Sequence, residues 1–98
     1  MAIFLVTKQQ ELFKSDLYKV IDEQSALEMM KDWTLVQFDT ETNGRNARLC
    51  DLLCAQFGND KAGARIVVDC STVDIRLFKD ILESKRIIGH NLKTKFQL

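Results

Sequence analysis

Asp39 and Glu41 are the residues whose types and spacing could do chemistry. Residues two apart on a strand share a face, so Asp39-Thr40-Glu41 would present two carboxylates together. Two oxygen donors this close repel unless a cation sits between them, and Mg²⁺ or Mn²⁺ is the hard ion that suits them. Taken alone, the pair reads as readily as two solvated acids at a strand end. The other reactive side chains are less organised. Cys50, Cys54, Cys70 and His90 lack the spacing of a zinc site, and the cysteines read as small buried apolar residues in strands. His90 has no nearby nucleophile to activate, so by itself it reads as a turn residue that bonds locally.

The acids need an element to hold them. Thr34 to Glu41 reads as a strand, and adjacent apolar Leu35 and Val36 predict burial on both of its faces. Thr42-Asn43-Gly44-Arg45-Asn46 ends it with turn chemistry. Ahead of it lie β-rich runs at Ala2 to Thr7 and Leu17 to Ile21. Ser25-Ala26-Leu27-Glu28 then has the form of a capping box, predicting a helix from Ser25 to about Asp32 with Leu27, Met30 and Trp33 on its core side. Asp51 to Phe57 and Ala64 to Val68 read as strands joined by a polar loop from Gly58 to Gly63. Ser71 or Thr72 can cap a second helix with Val73, Leu77, Phe78, Ile81 and Leu82 on one side. Arg86 to Gly89 reads as a short strand, and something helical begins at Asn91. This order of elements is α/β.

Ninety-eight residues make one small domain, spanning 1–98. An apolar fraction of 46% with 29% charged residues excludes a disordered or collagen-like chain. Basic and acidic residues balance at 14 each, so net charge does not advertise a nucleic-acid partner. After Glu83, however, Lys85, Arg86, Lys93 and Lys95 come with no acid among them, a solvated surface or a phosphate-facing patch. No apolar run is long enough to span a membrane, and the opening Met1 to Val6 lacks the parts of a signal peptide. An odd number of cysteines points to a reducing, cytoplasmic setting.

Two segments together carry a family resemblance: Val36-Gln37-Phe38-Asp39-Thr40-Glu41-Thr42-Asn43-Gly44 and Ile88-Gly89-His90-Asn91-Leu92-Lys93. They resemble the first and second motifs of the 3′–5′ exonuclease superfamily with DEDD-type sites, the DnaQ-like enzymes. The nearest flavour is the proofreading domain of bacterial and bacteriophage family A DNA polymerases. The resemblance implies an RNase H-like mixed sheet flanked by helices, of which this chain carries the amino-terminal half. It implies that Asp39 and Glu41 bind catalytic Mg²⁺ or Mn²⁺, and that Thr40 and Asn43 lie beside the 3′ end of single-stranded DNA. His90, Asn91 and Lys93 match the second motif and would also meet the substrate. It further implies that the strand Arg86 to Gly89 lies beside the Asp39 strand.

The match departs from the family at two places. Thr94 and Lys95 stand where the family has an aromatic residue and its third acid, and Arg45 replaces a leucine that follows the glycine. A third motif would lie beyond Leu98. Two carboxylates where the family has four predict weak cation binding and turnover near background. The same motifs also fit an RNase D-like RNA exonuclease, or a non-catalytic module that binds nucleic acid or a protein partner. An open sheet edge after Arg86 to Gly89 predicts self-association, as a homodimer in its simplest form. The implied setting is the cytoplasm of a bacterial or phage-infected cell.

Overall fold

The computed structural model describes residues 1–9, 15–42 and 52–89. It is α/β, with one six-stranded mixed sheet. In chain order the elements are β1 (Ala2–Val6), β2 (Lys19–Ile21), α1 (Glu23–Met30), β3 (Leu35–Thr42), β4 (Leu52–Asn59) and β5 (Ala64–Asp69). A 3₁₀ turn (Ile75–Phe78), α2 (Lys79–Glu83) and β6 (Arg86–Gly89) follow. The strands lie in the order β2-β1-β5-β4-β3-β6. β1 runs parallel to β2 and β5, and β3 runs parallel to β6; β4 is antiparallel to both its neighbours. Five strands therefore share one direction, and their carboxyl ends form one edge of the sheet.

Side chains alternate across this sheet as a pleat requires. One face carries Val6, Val36, Phe38, Ala55, Phe57, Ile66 and Val68, all buried. Ala26 and Met30 of α1, with Ile75, Phe78 and Leu82 from the second helical segment, join that same core. Phe57 sits at its centre, its ring 5.2 Å from that of Phe38 in an edge-on contact and 5.1 Å from that of Phe78. Both helices thus cover one face. The opposite face shows Leu35, Gln37 and Asp39 only half-buried, so β3 is sealed on one side rather than on two.

Several boundaries differ from the sequence reading, each for a local reason. The first helix starts at Glu23, not Ser25. Asp22 is its cap, its carboxylate accepting the Ser25 N–H at 2.7 Å. Asp22 outcompetes the downstream serine because an ionised acceptor bonds an N–H more strongly than a hydroxyl does. Ser71 and Thr72 cap no helix; both turn their hydroxyls onto Asp69, at 2.6 and 3.1 Å. The helical segment starts after Asp74, which caps it through the Arg76 N–H, and its first turn is 3₁₀. This shift in phase leaves Leu77 exposed and brings Ile75 inside. The helix expected from Asn91 lies outside the described residues.

The β4–β5 loop is shorter than expected, because Gly58 and Asn59 belong to β4. Asn59 is buried and pays its polar cost locally: its amide donates to the Leu35 carbonyl at 2.8 Å and its Oδ1 accepts the Ala62 N–H at 2.8 Å. Gly63 closes the turn at φ 66°, a left-handed conformation that glycine adopts without strain. The Arg86 N–H then donates to the Thr34 carbonyl at 3.1 Å, starting the β3–β6 pairing. The Lys85 ammonium caps the carbonyl of Lys31, just past α1, at 2.8 Å.

Candidate functional site

β3 holds Asp39 and Glu41. Its register against β4 is unbroken through Asp39↔Gln56, Thr40↔Ala55 and Glu41↔Cys54, and the irregularity falls after Glu41. Positions 39 and 41 therefore share a face of a regular strand, near its carboxyl end. Asp39 is half-buried on the face opposite the apolar core. Thr40 and Glu41 are placed by their backbone alone. Asn43, His90, Asn91 and Lys93 lie outside the described residues.

What the topology adds is the relation between two distant pieces of sequence. β6 lies beside β3 and parallel to it, with Phe38 opposite Gly89. Asp39 follows the first of these residues and His90 follows the second. β6 ends at Gly89 while β3 runs on to Thr42 against β4, so Asp39 stands on β3 just past the end of β6, toward the carboxyl edge of the sheet. In α/β sheets that edge is where ligands gather.

Next to Asp39 lies a polar patch that the sequence gives little hint of. Gln56 is directly across from Asp39. Arg65 Nη1 donates to Gln56 Oε1 at 3.3 Å. Arg65 is itself opposite Gly58, and an alanine Cβ at that glycine would lie 3.4 Å from Arg65 Cζ and Nη2 and from Gln37 Oε1. The guanidinium thus lies over strand backbone that carries no side chain. Gln37 donates to Asp60 at 3.1 Å, while its buried Oε1 has no partner among the described residues.

No family model, curated protein or solved structure matches the chain.

Two hard carboxylates on one face of a strand end suit a single Mg²⁺ or Mn²⁺ completed by water. Among the described residues no group of three or more His, Cys, Asp or Glu side chains could hold a metal.

A second acid on the same edge serves a different end. Burial pushes the Asp69 carboxyl up, but hydrogen bonds from the Ser71, Thr7 and Thr72 hydroxyls and the Ser71 N–H outweigh it and hold it below the ordinary range. Thr7 donates at 2.8 Å, so this carboxylate ties the end of β1 to the end of β5. A nearby concavity of about 600 Å³ is lined by residues 70–76. Its polar groups are already engaged: Arg76 is paired with Asp74 at 2.8 Å, and Ser71 and Thr72 with Asp69. Burial pushes the Cys70 thiol up to about 11, helped by neighbouring Cys54 and Asp69, so it is no nucleophile at neutral pH. Cys54 and Cys70 are half-buried, short of the full burial expected, and Cys50 lies outside the described residues. Among the described residues no helix is long and apolar enough to cross a membrane.

Proposed function

We propose that this chain carries the amino-terminal part of a metal-dependent 3′–5′ exonuclease-type domain on an RNase H-like sheet, acting at nucleic-acid 3′ ends. The observation that carries this reading is the parallel pairing of β3 with β6. It brings Phe38, which precedes Asp39-Thr40-Glu41, opposite Gly89, which precedes His90-Asn91 in sequence, although fifty residues separate them. The flanking order supports it too, with β3 followed by an antiparallel β4–β5 hairpin and β6 on its other side.

In this reading Asp39 and Glu41 supply oxygen ligands, and strand β3 fixes their spacing. The cation they hold would polarise the scissile phosphodiester and ready a water for attack. Thr40 and Asn43 lie beside the terminal nucleotide, and His90, Asn91 and Lys93 meet the substrate near the phosphates. Single-stranded DNA is the proposed substrate, with an RNase D-like RNA end as its variant, in a cytoplasmic setting. Lys95, where the family has its third acid, opposes a second cation and favours a second reading, a nucleic-acid-binding module without turnover. Self-association belongs to the proposal as well, since the outer side of β6 has no partner strand among the described residues.

Electron paramagnetic resonance of Mn²⁺ with the protein tests the site. The expected result is weak binding that Asp39→Asn removes; binding that survives this substitution overturns the reading. A 3′-labelled single strand incubated with Mn²⁺ separates the two versions. Turnover near background is expected, whereas rapid nucleotide release abolished by Asp39→Ala would show a more complete catalytic site. Light scattering over a range of concentrations tests self-association: a mass fixed at one chain throughout rejects it.

A further inference from the structure

We draw no further inference here: the strongest candidate, the sheet face opposite α1 and α2 that carries Ile3, Leu5, Val67 and Ile88 with Arg65, is an unpartnered face, and nothing among the described residues shows what covers it.

Discussion

The two faces of the sheet do different work with the same strands. Along β4, Phe57 is sealed between two rings while Gln56, one residue earlier, is half-buried beside Arg65 and opposite Asp39. One face gathers the apolar residues of both helices; the other carries Gln37, Asp39, Gln56 and Arg65. Burial of apolar area stabilises the first face at about 25 cal/mol per Å². The second is only half-buried and mixes Leu5, Leu35 and Val67 with its polar residues, so it buries less apolar area. Asp39 thus stands on the face that buries less, away from the packing around Phe57.

Substitution at neighbouring positions of β4 gives the largest expected effect. Phe57→Ala opens a cavity at the meeting point of three aromatic rings and should destabilise the protein by about 3–5 kcal/mol. Gln56→Ala, on the other face, should cost within about 0.5 kcal/mol. Urea unfolding followed by circular dichroism measures both. Equal costs would erase the distinction between the faces.

The carboxyl edge offers a second contrast, between Asp69 and Asp39. Asp69→Ala leaves the Thr7, Ser71 and Thr72 hydroxyls without their shared acceptor and loosens β1 from β5. Ser71 is exposed and Asp69 and Thr72 half-buried, while Thr7 is buried, so we expect a cost of about 1–2 kcal/mol. Its pH dependence has a definite sign. The folded-state pKa of Asp69 is lowered, so the native state binds this proton less readily than the unfolded chain does. The stabilisation is present above the ordinary carboxylate value near 4 and fades as pH falls from there through the lower folded value. Asp69→Asn should therefore flatten the loss of stability below about pH 4 relative to the parent. Identical acid slopes would mean that the hydroxyl cluster does not favour the ionised form.

Much of this was readable from the chain because it depends on local pattern. The runs Ala2 to Thr7 and Arg86 to Gly89 are short and apolar, and they are strands. Asp39 and Glu41 sit two apart, and period-two spacing survives folding wherever the register is unbroken. Caps were harder, because Asp22, Ser25, Ser71, Thr72 and Asp74 can all serve, and the choice between them depends on which acceptor is nearest in three dimensions. Gln56 and Arg65 were illegible for a stronger reason. Their relation to Asp39 is set by strand register, which in turn depends on whether Gly58 and Asn59 belong to the loop or to β4. Asn59 decides that through its two bonds to Leu35 and Ala62, contacts that no linear spacing displays.

The smallest expected effect falls at Gly58. A glycine inside a strand normally costs entropy and side-chain packing, so replacing it with alanine tends to stabilise. Here the new methyl would meet Arg65 Cζ and Nη2 and Gln37 Oε1 at 3.4 Å. All three atoms are at the far ends of flexible side chains, on the face opposite α1 and α2. They can yield by a few tenths of an ångström at little cost. The gain and the displacement should nearly cancel, leaving Gly58→Ala within about 0.5 kcal/mol of the parent in urea unfolding. A loss above about 2 kcal/mol would mean that this face is as tightly packed as the one around Phe57, since overpacking carries such penalties only where neighbours cannot move. In that case the division between a face that holds the fold and a face that carries the acids would have to be abandoned.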